Sequence, residues 1–309
     1  MVFISELVNK SFLSKKDCKT ILFLKNFLKL GNFRTIIILK IILLTGSELR
    51  HDFFRKYIAA QKGIQVLLTI RESLKGNFSE TVDLENTSND LRKLHLSTRS
   101  QYEKDFFSLF CDTIEDKSNP ISIDRGDINN KEVVSRIIKL NPYLIISYGC
   151  SIIRSELLDF FKGRFMNIHL GLSPYYRGSG TNYWPFVNDE LQSVGTTFMH
   201  IDSGIDTGEI IHQIRGNIYH GDNIHQIGNR LIKDSMFECV KLIQSFEKLE
   251  KIAPFKVNIN NTKVYKEKDF TEESLHTAYS NLSNGIISKY LENKINIDCL
   301  CPIIKNKII

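Results

Sequence analysis

The chain has 309 residues, 42% of them hydrophobic and 25% charged, which supplies apolar surface for one large core or two smaller ones. Its net charge of +6 sits entirely in residues 1–44, where eight Lys and Arg face only Glu6 and Asp17; the rest of the chain is balanced. A neutral body argues against a nucleic-acid partner, which would need a basic footprint. Six cysteines (Cys18, Cys111, Cys150, Cys239, Cys299, Cys301) show no framework spacing, and Cys299-x-Cys301 lacks a second pair for zinc. No metal is expected, and scattered thiols suit a reducing cytoplasm.

Residues 1–34 alternate Lys with Leu, Ile and Phe, as in Ile21-Leu-Phe-Leu-Lys-Asn-Phe-Leu-Lys-Leu30. A basic amphipathic helix of this kind can contact an anionic membrane surface. An added helix packed on the core, or an upstream extension from a misplaced start codon, accounts for the same pattern. Lys25, Lys29, Arg34 and Lys40 interrupt every long apolar window, so no membrane span is expected, and no signal-peptide cleavage site follows.

Residues 35–44 form a β-branched apolar run ending at Thr45-Gly46-Ser47, residues 48–61 alternate with helical period, and residues 65–70 read as a second strand. This is the β-loop-α-β opening of a doubly wound, Rossmann-like, mostly parallel sheet. Gly46 admits two readings: close approach to an anion at a helix N-terminus, or a plain tight turn. Residues 74–120 interrupt the rhythm as a helical insertion near the site or at a contact with a second copy of the chain, a homodimer being one expectation. A helix over residues 131–140 stops at Asn141-Pro142, a buried strand covers 143–147, and a helix follows from about residue 153 to 161.

The chemistry concentrates in residues 165–213. The run 165–169, bounded by Gly163 and the Gly171/Pro174 loop, reads as a buried strand, so Asn167 and His169, two apart, share a face. Strands over 194–201 and 209–213 flank a loop, Asp202-Ser-Gly-Ile-Asp206-Thr-Gly208, which leaves Asp206 free to meet the strand end carrying His169. An amide, an imidazole and a carboxylate can polarise a carbonyl and manage a proton, which is acyl-transfer chemistry. Singly, each has a structural explanation: a strand-end turn, a satisfied imidazole, an Asx turn. Trp184, the only tryptophan, falls in a short helix where core packing is expected. Residues 222–249 form an amphipathic helix on which His225 is expected to be a surface or capping residue. The tail from residue 251 is helical over 271–290.

Three motifs in order, Asn167-Ile-His169, Pro174-Tyr-Tyr176-Arg177-Gly178 and Asp202-Ser-Gly-Ile-Asp206-Thr-Gly208, resemble the folate-dependent formyltransferases that act on glycinamide ribonucleotide, methionyl-tRNA and sugar nucleotides. The resemblance spans residues 40–246 and implies 10-formyltetrahydrofolate as cosubstrate. It divides the chain into an N-terminal extension (1–38), a catalytic domain (39–250) and a C-terminal extension (251–309). It implies Asn167, His169 and Asp206 as catalytic, with Tyr148, Gly149, Cys150, Ser151, Ile152, Asp202 and Ile205 around the folate. Pro174, Tyr176, Arg177 and Gly178 would form a substrate loop. The family commonly has Ser two residues after the His and Leu before the Pro, where this chain has Gly171 and Ser173, so contacts of that loop do not carry across.

The expected reaction is attack of a primary amine on the N10-formyl group, with Asn167 and protonated His169 donating to the developing oxyanion. Asp206 would orient the imidazole and accept the amine's proton. A small amine is the expected partner, a nucleotide-linked amino sugar first, because the tail is too short for the basic barrel of the methionyl-tRNA enzymes. Alternatives are methionyl-tRNA, water (a formyltetrahydrofolate hydrolase), and a non-catalytic nucleotide-binding module. A dinucleotide oxidoreductase is disfavoured because Gly46 begins no Gly-x-Gly-x-x-Gly.

Overall fold

The computed structural model describes residues 37–73, 90–253 and 263–309. The chain divides into two compact units, 1–37 and 38–309, and apart from Ile37 the described residues lie in the second. The basic amphipathic helix expected over 1–34, and residues 74–89 of the expected insertion, lie outside them.

Strand β1 (Leu39–Thr45) leads into helix α1 (Leu49–Ala59) and strand β2 (Ile64–Ser73). Helix α2 (Asp90–Thr113) is the helical part of the insertion, followed by strand β3 (Pro120–Asp124). That strand was not expected from the sequence; five residues of half-exposed alternation at a sheet edge carry a weak signal beside the long polar segment preceding them. Helix α3 (Lys131–Leu140), strand β4 (Leu144–Tyr148), helix α4 (Ser155–Phe160) and strand β5 (Phe165–His169) complete the parallel part. A short strand β6 (Tyr176–Gly178) and helix α5 (Trp184–Val187) precede strands β7 (Gly195–His200) and β8 (Ile210–Arg215), and then helix α6 (Ile224–Ser245). Strand β9 (Lys263–Tyr265) and helices α7 (Glu272–Ser283), α8 (Ile286–Glu292) and α9 (Lys294–Cys299) follow. The single helix expected over 271–290 is broken at Gly285, which takes a left-handed conformation.

The main sheet has the order β3-β2-β1-β4-β5-β7-β8. Pairings from β3 through β5 are parallel, and β5-β7 and β7-β8 are antiparallel. It is the mostly parallel doubly wound sheet expected from the sequence. Strand β1 is central, so Ile41 to Leu44 are all fully buried, alternating between two cores. On one face Ile41 and Leu43 pack with Phe53 and Phe54 of α1, Phe107 of α2 and Met236 of α6; on the other, Ile42 and Leu44 pack with Val134 and Ile137 of α3 and Leu157 of α4. Helix α6 opens on Asn223, whose side chain accepts from the backbone of His225 and Gln226, while Gln226 returns a bond to Asn223, a box worth about 1 kcal/mol.

Strand order reverses between β1 and β4, and in open α/β sheets the crevice for ligands opens beyond the carboxyl ends at such a point. The β1 turn, Tyr148 to Cys150 after β4, and His169 at the end of β5 all gather there. Among the described residues, no helix is long and apolar enough to cross a membrane.

Candidate active site

Two cavities open at this crevice. The first, about 470 Å³, is bordered by residues of α1 (Arg50, His51), α2 (His95, Arg99, Glu103) and α6 (His225, Asn229), together with Tyr148, Gly149 and His169. The second, about 480 Å³, is bordered by Ser147, Ser151, Ile152, Met199, Asp202, Ile205 and Tyr265. Cys150, Asn167, Gly178 and Asp206 border both.

Asn167 and His169 leave β5 on one face, as the two-residue period requires. On the neighbouring strand, the buried Ser147 hydroxyl donates to Asn167 Oδ1 at 2.8 Å. That bond fixes the amide so that its Nδ2 donor faces away from β4. A polar Ser within the apolar run Leu-Ile-Ile-Ser-Tyr was the available sequence signal, and the sequence reading passed over it.

His169 is 7% exposed and has an acceptor at each ring nitrogen: the Tyr176 carbonyl 3.0 Å from Nε2, and Asp206 Oδ2 3.3 Å from Nδ1. Asp206 takes a left-handed backbone conformation (φ 50°), uncommon outside glycine, and its Oδ2 also accepts the Gly178 N–H at 2.9 Å. Beside them Gly171 is required by space: a Cβ there would lie 2.6 Å from His169 Nε2 and 2.6 Å from Thr181 Cβ. The family's Ser would not fit this imidazole placement.

The residues singled out around the folate divide between the cavities. Ser151, Ile152, Asp202 and Ile205 border the second, Tyr148 and Gly149 the first, and Cys150 both. Glu72, missed in the sequence, anchors this loop: its buried carboxylate accepts from the Ser151 N–H at 2.6 Å and the Gly126 N–H at 2.9 Å. Of the substrate-loop residues only Gly178 reaches the cavities. Pro174 follows a cis bond, Tyr176 is buried with its hydroxyl on Glu190 at 2.5 Å, and Arg177 borders neither space. At the β1 turn a Cβ on Gly46 would lie 2.7 Å from the His51 ring and 2.9 Å from the Gly149 carbonyl, so close packing in the turn calls for glycine.

The wall of the first cavity is polar with balanced charge. Glu103 bridges Arg50 (2.7 Å) and Arg99 (3.2 Å); burial alone would raise its carboxyl, but the two guanidiniums hold it below the usual range. Burial, reinforced by Arg50, keeps His51 well below the ordinary imidazole value. Burial also lowers His95 to about 3, with His225 and Arg99 adding to it, and His225 to about 4, with Arg99 adding. These rings are therefore neutral at pH 7. His225 is not the surface residue expected: it lies in the first turn of α6, 7% exposed, stacked on Tyr102 and 4.7 Å from the His95 ring. The helical insertion supplies that burial, and a single-helix periodicity could not reveal it. His225 Nε2 and Asn229 Nδ2 are buried without a hydrogen-bond partner among the described residues, and both side chains border this one cavity, as does Tyr148 beside Arg50. Trp184 packs in the core, stacked on Tyr265 at 4.2 Å.

Residues 101–240 match the formyl transferase family. Curated relatives include the methionyl-tRNA formyltransferases of Finegoldia magna, 33% identical over 28% of this chain and 27% of that protein, and of Desulforamulus reducens, 30% identical over 39% and 37%. The chain thus spans about a third of the length of these relatives. Among solved structures, the formyltransferase PseJ from Anoxybacillus kamchatkensis aligns over 74% of this chain and 87% of that one, at 24% identity and a TM-score of 0.43. The matched residues include Asn167, His169 and Asp206.

Proposed function

We propose that the chain transfers the formyl group of 10-formyltetrahydrofolate to the primary amine of a small acceptor, a nucleotide-linked amino sugar being the first candidate. The observation that carries this reading is the meeting of two cavities of small-molecule size at Asn167, Gly178 and Asp206. The second cavity, with Ile152, Ile205 and Met199 beside the backbone of 202–208, fits a flat ring that also needs polar edges, and is assigned to the folate. The first, with its unpartnered His225 and Asn229 atoms and the polar wall of Arg50, Arg99, Glu103 and Tyr148, is assigned to the acceptor.

The amine nitrogen attacks the formyl carbon, its bond to N10 breaks, and tetrahydrofolate leaves. Asn167 Nδ2, held by Ser147, donates to the developing oxyanion. His169, its Nε2 at the Tyr176 carbonyl and its Nδ1 3.3 Å from Asp206, lies beside that charge and donates to it when Nε2 leaves the carbonyl. Asp206 receives the amine's proton, directly or through water, and that proton passes on to N10 as its bond to the formyl carbon breaks, so that tetrahydrofolate leaves neutral at that nitrogen. The neutral rings of His95 and His225 add no positive charge to the wall beside the incoming amine.

The names of the curated relatives favour a second acceptor, methionyl-tRNA, although the shared segment is about a third of their length. Release of tetrahydrofolate measured with amino-sugar nucleotides, charged initiator tRNA, or water alone separates the readings. Turnover with one sugar nucleotide is the expected result. Turnover with tRNA alone would install the second reading, and turnover without an acceptor would make the protein a hydrolase. A cytoplasmic setting, where the folate cosubstrate and free thiols would both be at home, belongs to the same proposal.

A further inference from the structure

We infer that strand β9 of the C-terminal extension, through Tyr265, is a strap that positions the His169–Asp206 pair. Strand β6 touches both groups: the Tyr176 carbonyl faces His169 Nε2 at 3.0 Å, and the Gly178 N–H donates to Asp206 at 2.9 Å. The outer edge of β6 is taken by β9, which pairs with it in parallel, Tyr176 opposite Lys263 and Gly178 opposite Tyr265. The Ser179 N–H donates to the Tyr265 carbonyl at 2.9 Å, and the Lys263 N–H to the Tyr175 carbonyl at 3.0 Å. Contact is so close that a side chain at Gly178, itself left-handed at φ 89°, would overlap the Tyr265 carbonyl.

Side chains lock the same register. The Tyr265 ring lies between Trp184 (4.2 Å, 6° between planes) and Tyr176 (5.9 Å, 9°), and its hydroxyl accepts from Asn188 at 2.7 Å. Lys263 Nζ meets Glu190 at 2.8 Å, and Glu190 also accepts from the Tyr176 hydroxyl. An isolated two-stranded pair is marginal in water, so this density of contacts is what gives β6 one position. Tyr265 also borders the second cavity beside Lys266 and Glu267, where filling of that cavity would bear on the strap. A three-residue strand more than ninety residues beyond the imidazole therefore sets the groups on either side of it.

The inference rests on the proposed reaction for its kinetic arm only; a second arm reads the imidazole directly. The full chain carrying Tyr265→Leu, Tyr265→Phe or Lys263→Pro is compared with the wild type in formyl transfer and in the pH titration of the His169 ring by NMR. Tyr265→Leu and Lys263→Pro are expected to lower kcat about 10- to 100-fold, as for a small misplacement of a reacting group, with a smaller change in KM for the acceptor, and to shift the His169 titration. Tyr265→Phe, which keeps the stack, is expected to restore most of both. Folded variants with unchanged kcat and an unchanged His169 titration would overturn the strap. Should Tyr265→Leu not fold, Lys263→Pro, which removes one backbone donor at the strand's start, decides by the same two readouts. Wild-type protein that transfers no formyl group would overturn the proposed reaction alone, with the NMR arm still deciding the strap.

Discussion

Acidification should destabilise this protein through the two imidazoles that wall the first cavity. Burial, aided by His225 and Arg99, lowers His95 to about 3, and burial, aided by Arg99, lowers His225 to about 4. In the unfolded chain both titrate near about 6.5. The unfolded state therefore binds protons that the folded state refuses, so this stability is present above about pH 6.5 and is lost as pH falls toward the folded values. At about 1.4 kcal/mol per pH unit, a move from about pH 7.5 to about pH 5 costs about 2 kcal/mol for each ring and about 4 kcal/mol for the pair. That is a large share of the 5–15 kcal/mol or so that holds a domain folded. The groups facing the two rings are Tyr102, Tyr183, Phe270, Tyr279, Arg99 and Glu103, and the one carboxylate among them is committed to Arg50 and Arg99. Urea unfolding at the two pH values, for the wild type and for His95→Gln/His225→Gln, measures the effect. The wild type is expected to lose about 4 kcal/mol more than the double variant on acidification. Equal losses would refute the assignment of neutral rings to this wall.

Asn167→Ala is expected to lower the rate of formyl transfer about 10²–10³-fold with little change in melting temperature, as for loss of an oxyanion donor. Ser147→Ala removes only the bond that orients that amide, worth about 1 kcal/mol, so its loss in kcat should be about tenfold or less. Gly171→Ser places a Cβ 2.6 Å from His169 Nε2; a shifted His169 NMR signal, lower kcat and about 1–3 kcal/mol of destabilisation in a denaturant titration are expected. Glu72→Gln should weaken folate binding more than it slows turnover, since Glu72 holds the Ser151 backbone, and a KM-against-kcat comparison checks it.

The frame of this fold was legible where the hydrophobic pattern was unbroken. The run ending at Thr45, the helix stopped by Asn141-Pro142 and the strand 165–169 all follow from local chemistry, and β5 lies where the bounding Gly163 and Gly171 put it. The proximity of His169 and Asp206 was legible too, because a strand end and a Gly-rich loop on an adjacent pair of strands have few other places to go. What could not be read is tertiary. His225 looked like a cap on an amphipathic helix; only the insertion helix packed over it makes it a buried wall residue. Tyr176 was expected in a substrate loop because a motif carries residue types and not directions, and the backbone turns Tyr176 inward to Glu190. Strand β9 pairs with a segment some ninety residues earlier, a register that three residues of sequence do not encode.

Single-turnover formyl transfer from 10-formyltetrahydrofolate tests the central claim most directly, with an amino-sugar nucleotide as acceptor and Asn167→Ala beside the wild type. Release of tetrahydrofolate with a matching formylated amine, abolished or slowed about 10²–10³-fold in the variant, is the outcome this account requires. Wild-type protein that binds the folate but yields no formylated product with a sugar nucleotide, tRNA or water, or a variant as fast as the wild type, would contradict it.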